Sequence, residues 1–209
     1  MKLQNIYQQN NFQEIKKLIS ESKTCLLVTG LSSGNPQFGV FNPLVLEDKI
    51  FLHNSKSDEQ ITDLRRNPEC RLIFQDTLAI LPSYWVDEKY AGVATTYYRY
   101  AELGCSARLI EDTDEQTLFY KNLMKHFQPE GNYDPIDYSS PIYKSKMDTI
   151  LVTQFTIDSI KAKWKLGQNR SVEKRIEIAN RFRERNQLGD SRAADEIERW
   201  IELNGGGSQ

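Results

Sequence analysis

Residues 50–68 constrain the fold more than any other part of the chain. The run Ile50-Phe51-Leu52-His53 is apolar and β-prone; it ends in the polar cluster Asn54-Ser55-Lys56, and an amphipathic segment begins directly afterwards. Ser57 with Gln60 three residues on fits a capping box, which predicts a helix starting there with its free N–H groups directed at Ser55 and Lys56. A strand end, a hydroxyl, an ammonium and a helix N-terminus meeting at one point can hold an anion. The same residues also suit an ordinary strand–turn–helix connection with a solvated Ser and Lys, and the spacing alone leaves both readings open.

Around this junction the periodicity switches repeatedly between two and 3.6 residues. Asn11 and Glu14 fit a helix start, and Phe12, Ile15, Leu18 and Ile19 recur at helical spacing, predicting a helix over about 11–22. Branched residues predict strands over 24–31, 37–46 and 49–53, with turns at 32–35 and at Glu47-Asp48. After the short helix, strands are expected at 71–74 and 78–81, a loop rich in aromatic residues at 82–96, and a long strand over 97–111, bent near Gly104. Thr113 and Gln116 fit a second capping box, opening a helix that stops at Pro129. Residues 128–146 show no periodicity and are expected as a long loop, either a substrate lid or a surface connection packed by its own tyrosines. A last strand is expected over 150–157 and a polar loop over 161–170, with Ser171 capping the first of two C-terminal helices. The whole predicts an α+β fold: a mostly antiparallel, six- to seven-stranded split β-barrel with peripheral helices. Residues 1–170 form the barrel domain, 171–203 a helical extension of it, and 204–209 a disordered tail.

Composition narrows the functional classes. A net charge of −2 gives no overall basic field to draw in nucleic acid. Residues 171–200 hold seven basic and seven acidic side chains, a neutral surface with Glu177–Arg181 and Asp195–Arg199 at i,i+4. No apolar run reaches the ~18 residues that span a bilayer, so no membrane association is expected. Cys25, Cys70 and Cys105 are odd in number and widely spaced, and the two histidines, His53 and His126, are far apart. Disulfides and a metal site are not expected, and a reducing cytoplasm is.

Several blocks of sequence together resemble one family. Ser55-Lys56, Leu64-Arg65-Arg66-Asn67-Pro68 and Arg71-Leu72-Ile73-Phe74-Gln75 are similar to the phosphate-holding region of the pyridoxamine-phosphate-oxidase-like, FMN-binding split-barrel superfamily. Lys165-Leu166-Gly167-Gln168-Asn169-Arg170 resembles a segment of the PaiB-type FMN-binding regulators within that superfamily. Phe74-Gln75, Ser83-Tyr84-Trp85 and Thr95-Thr96-Tyr97-Tyr98 follow the order of that branch, with departures at Tyr84-Trp85, Thr96-Tyr97 and Glu102.

The resemblance implies FMN as cofactor. It also implies a homodimer, with Ser55 and Lys56 from one chain and Gln168, Asn169 and Arg170 from the other. The implied cofactor site comprises Phe41, Asn42, His53, Asn54, Ser55, Lys56, Gln60, Gln75, Trp85, Thr95, Tyr98, Arg99, Gln168, Asn169 and Arg170. Lys56, Ser55 and Arg99 suit the phosphate. Arg170 suits the N1–C2=O edge of the ring, which gains negative charge on reduction. Val40-Phe41-Asn42-Pro43 suit the ring's apolar surroundings, and Gln75, Gln168 and Asn169 its amide-like edge. His53 is read equally well as a pocket residue and as a structural one. Two functions follow: a flavoenzyme taking two electrons from an organic substrate or reduced nicotinamide, or a non-catalytic FMN-binding transcriptional regulator. A barrel that has lost flavin binding is the third reading.

Overall fold

The computed structural model describes residues 5–32 and 34–204. The turn expected around Ser33 and the tail from 205 onward therefore lie partly or wholly outside the described residues. The fold is α+β, with one sheet of seven strands: β1 (Cys25–Thr29), β2 (Gln37–Phe41), β3 (Leu44–Leu46), β4 (Lys49–Ser55), β5 (Glu69–Leu81), β6 (Thr95–Ile110) and β7 (Ile150–Lys165). Their order is β2-β1-β5-β6-β7-β4-β3, and the pairs β1–β2, β1–β5, β3–β4 and β4–β7 are all antiparallel. Among the described residues six α-helices accompany them: α1 (Phe12–Glu21), α2 (Glu59–Arg66), α3 (Thr113–Phe127), α4 (Pro141–Met147), α5 (Val172–Arg185) and α6 (Asp190–Leu203).

Several boundaries differ from the sequence-based expectation, each for a local reason. The strand expected over 37–46 is two strands, because Pro43 has no N–H to give a ladder and interrupts it beside Asn42. The strands expected at 71–74 and 78–81 are one strand of 13 residues; the polar Gln75-Asp76-Thr77 is a stretch of β5, not a turn. β7 continues through Lys165, so the expected loop over 161–170 is strand for half its length. Pro141, which fits a first helical turn, opens α4 inside the expected 128–146 loop. Helix α2 starts at Glu59, not Ser57: Asp58 is its N-cap residue and its carboxylate accepts from Ser55 N–H at 3.2 Å. In α3 the cap is Asp112, which accepts from the N–H groups of Asp114 and Glu115. Ser171 caps α5 as expected, and Glu177 pairs with Arg181 at 2.8 Å. Arg199 does not pair with Asp195; it binds the buried Glu14 carboxylate of α1.

The chain divides into two compact units, each assembled from separate segments. One comprises the described residues up to Glu21, Phe74–Ala101 and the residues from Lys161 onward. In its core Phe182 of α5 meets Trp85 and Tyr97 edge-on, with ring centroids 5.3 and 5.7 Å away. Arg99 lies at 2% exposure and is held by Asp76, Glu196 and Glu21, so one guanidinium ties together β6, β5, α6 and α1. The other unit comprises Ser22–Ile73 and Glu102–Ile160. Here Leu44, Ile110, Phe119, Leu123 and Val152 form a cluster joining α3 to β3, β4 and β7, with Phe51 packed against it. Cys25, Cys70 and Cys105 are buried here as free thiols; desolvation holds Cys25 and Cys105 near a pKa of about 12, which makes them inert.

Candidate functional site

In the unit containing β4, alternation along the strand sorts the expected residues onto two faces. Ile50, Leu52 and Asn54 point one way, opposite Phe155, Thr153 and Leu151 of β7. Asn54 is 3% exposed, yet neither its amide oxygen nor its amide nitrogen has a hydrogen-bond partner among the described residues, and the Thr153 hydroxyl is equally unsatisfied. His53 points the other way, its ring centroid 6.0 Å from Phe119 and 6.1 Å from Tyr120. Burial, with a smaller contribution from Lys146, lowers its pKa and keeps it neutral. His53 thus packs on the α3 face, with its Nδ1 buried and without a hydrogen-bond partner among the described residues.

Beyond His53 the junction closes on itself. The Ser55 and Ser57 hydroxyls share a 2.8 Å hydrogen bond, and Lys56 N–H donates to Thr149 O at 3.0 Å. The Lys56 side chain itself is exposed. Asp58 places a carboxylate at this helix start, so the cation available to an anion is Lys56, while Ser55 is engaged in the turn. Phe41 and Gln60 come together over Gly39: a Cβ there would lie 2.4 Å from the Phe41 ring and 3.1 Å from Gln60 Nε2. Asn42 is exposed and donates to Lys23 O at 2.9 Å, away from that contact.

In the other unit Thr95, Asn169 and Arg170 line one cleft, of about 340 Å³, with Tyr97, Lys165 and Tyr7. The cleft forms because β7 ends at Lys165 and the chain turns at Gly167, whose φ of +78° favours glycine. Gln168 pins the turn. Its Oε1 accepts from Leu166 N–H and its Nε2 donates to Trp164 O, both at 2.8 Å. Each end of that amide makes one bond within the turn, which holds the Gln168 side chain in place there. Lys165 donates to the Thr95 hydroxyl. Arg170 reaches Val93 O at 3.4 Å, while its Nε is buried without a partner.

Four further expected residues do other work. Arg99, expected at a phosphate, gives its donors to three carboxylates. Trp85 is 9% exposed, packed on Phe182, with the Arg185 guanidinium 4.9 Å above its ring. Tyr98 faces away from Tyr97 and Arg99 and carries Lys163 at 5.7 Å. Gln75 is exposed and makes a 3.5 Å contact with Thr77.

Sequence reasoning missed Tyr97 and Lys165 as cleft residues, and Arg175, whose stem lies behind Gly167. The signal for Arg175 was available: it stands with Ile178, Ala179 and Phe182 at helical spacing, a cation on an apolar face. Tyr97 and Lys165 were visible only as letters within motifs. Among the described residues there is no group of three His, Cys, Asp or Glu side chains that could hold a metal, and no helix is long and apolar enough to cross a membrane.

A family described as "Putative FMN-binding domain" matches residues 1–159, most of the chain. The protein belongs to this FMN-binding family. Its fold recurs in solved structures at low identity. A putative 5-nitroimidazole antibiotic resistance protein from Bacteroides thetaiotaomicron matches with a TM-score of 0.58 and 20% identity, over 75% of this chain and 85% of that one. The flavocytochrome Anf3 from Azotobacter vinelandii matches at 0.63 and 13%, over 79% and 72%. The FAD and heme binding protein from Mycobacterium smegmatis matches at 0.63 and 13%, over 77% and 74%. No curated protein matches the sequence.

FMN is the cofactor of the family, and the residues present suit its parts. The exposed Lys56 ammonium suits a phosphate dianion, and the Arg170 guanidinium, which lines the cleft, suits anionic or carbonyl oxygens.

Proposed function

We propose that this FMN-binding protein is an oxidoreductase of the pyridoxamine-phosphate-oxidase-like type, acting on a small organic substrate with its flavin bound in a homodimer. The observation that carries the reading is Arg170, a guanidinium that lines a cleft with no carboxylate in its lining and has an unsatisfied Nε. Bound FMN supplies a two-electron acceptor. Lys56 would hold the phosphate end. Arg170 would lie against the pyrimidine edge of the ring, where its charge favours the reduced, anionic form. In the dimer, Lys56 would come from one chain and Arg170 from its partner.

The alternative, a non-catalytic regulator of PaiB type, draws no support from charge. Arg183 binds Glu198 and Asp195, Arg185 binds Asp190, and Lys174 and Arg181 share Glu177, so α5 and α6 present paired charges and no stripe that could track phosphates.

The test is spectroscopic. Purified protein should show a flavin absorption band, release FMN on heating, and bleach anaerobically with an organic donor or reduced nicotinamide. A colourless protein that takes up no added FMN refutes the reading. Lys56→Ala should weaken FMN by about ten- to a hundredfold, the worth of one charge-assisted hydrogen bond, and leave riboflavin nearly unchanged. Equal losses for the two flavins would remove Lys56 from the phosphate.

A further inference from the structure

Arg175 is 2% exposed, and no carboxylate among the described residues pairs with it. Its Nε has no hydrogen-bond partner. Desolvation lowers its pKa, so a negative charge close by would stabilise its charged form. The Tyr97 hydroxyl, which meets Arg175 across Gly167, is wholly buried and unsatisfied. Arg170 lies close enough that its charge, and a side-chain hydrogen bond too poorly aligned to satisfy the phenol, act on Tyr97.

Gly167 is where these groups converge. A Cβ there would lie 2.4 Å from the Tyr97 hydroxyl and 3.8 Å from Arg175 Cγ, so the bare backbone separates Tyr97 and the Arg175 stem. Tyr97, Arg170, Lys165 and Gly167 all line the same 340 Å³ cleft, and Tyr7 adds an aromatic ring to it. The cleft has cations, hydroxyls and an amide, but no acidic residue.

We propose that this cleft binds the carboxylate of a small organic acid, received by the Tyr97 hydroxyl and the Arg170 guanidinium, with buried Arg175 as the charge behind them. A carboxylate offers about four lone-pair positions, which matches an arginine Nε and a phenolic O–H converging from two elements. The proposal names a substrate class for the oxidoreductase read above and rests on that reading only in sharing Arg170 with the flavin. A guanidinium has five N–H donors and can serve both.

The experiment is calorimetric titration of the full chain with benzoate and with benzamide, its neutral counterpart, on FMN-loaded and on FMN-free protein. Benzoate is expected to bind both forms and benzamide neither. Tyr97→Phe and Arg170→Met should each weaken benzoate about tenfold or more. Arg175→Met should raise the Tm of the ligand-free protein, because an unpaired buried charge is removed, and should abolish the rise in Tm that benzoate gives wild type.

Equal binding of benzoate and benzamide, or no binding of either, overturns the proposal, as does benzoate affinity unchanged in both Tyr97→Phe and Arg170→Met. In protein that does take up FMN, binding to the FMN-free form alone also overturns it, since the cleft would then belong to the flavin. A fall in Tm for Arg175→Met would make that residue a structural one and remove it from the site. Protein that retains no FMN yet binds benzoate separates the two claims: the flavin reading fails and the carboxylate site stands.

Discussion

At the scale of single residues, a side chain's chemistry was easier to read than its employment. Arg99, Gln168 and Arg170 all looked like donors for a flavin, and their identities are indeed those of donors. Arg99 and Gln168 spend their groups inside the protein, on three carboxylates and on two backbone groups. No linear motif reveals this, because the partners Glu21, Asp76 and Glu196 are scattered along the sequence. Arg170 is the one left with an unsatisfied nitrogen. If it faces the pyrimidine edge, Arg170→Met should bind oxidised FMN only moderately less well and reduced FMN much less well. The two-electron potential then falls by about 30 mV for each tenfold of differential affinity, and Arg170→Lys recovers part of the drop. A dye-referenced redox titration decides, and an unchanged potential in Arg170→Met excludes the ring edge.

His53 allows a pH prediction. Burial among Phe119 and Tyr120 lowers its pKa below the usual 6.5, so between that value and the lower folded one the unfolded chain binds more protons than the native protein. Stability should therefore fall as pH drops through this window, and His53→Phe should remove that part of the loss. Tm measured against pH for both proteins checks it; parallel curves would mean that His53 does not contribute.

At the scale of elements, the hydrophobic pattern located every helix but α4 and most strands, and failed where polar residues sit inside a strand. Gln75-Asp76-Thr77 reads as a turn, yet β5 runs straight through it. The reason lies in distant charge: Asp76 is held by Arg99 and Arg192, both at 2.6 Å, so a polar residue in mid-strand is satisfied by β6 and α6. Similarly Lys161 to Lys165 looks like a solvated loop, but Ala162 and Trp164 alternate inward at 2% and 1% exposure. The charge network is the element-scale joint of its unit. Arg99→Met should cost about 3–5 kcal/mol, because it leaves Asp76 and Glu196 without their buried cation. Denaturant unfolding would show this as a lower midpoint at unchanged slope. A loss under about 1 kcal/mol would mean that Arg192 and Lys17 compensate, since each already reaches one of the carboxylates.

At the scale of the whole molecule, the sheet register identifies a surface that a single chain leaves bare. Leu26 stands opposite Val40 on one side and Ile73 on the other, and Val28 stands opposite Phe38 and Arg71. Directly opposed residues share a sheet face, so Leu26, Val28, Phe38, Val40, Ile73 and Arg71 lie on one face across β2, β1 and β5, with Val28 buried and Phe38 and Val40 open. The reverse face holds Leu27, Gly39 and Leu72, with Leu27 and Leu72 wholly buried and Gln60 of α2 against Gly39. On the outer face Phe38 and Val40 are 60% and 69% exposed, on a strand that is also the sheet's edge.

An exposed, apolar, β-prone edge invites association, and a second copy of this chain is the partner that the proposed flavin arrangement requires. Val40→Lys should then convert dimer to monomer. The substitution leaves the buried face untouched, so the monomer should stay folded. Because Lys56 and Arg170 are proposed to serve one flavin from two chains, retained FMN should fall together with the dimer. Sedimentation and the flavin-to-protein absorbance ratio, measured on the same samples, check both halves. A wild-type monomer at micromolar concentration with flavin bound would defeat the two-chain site, and a Val40→Lys dimer with full flavin would move the interface away from β2.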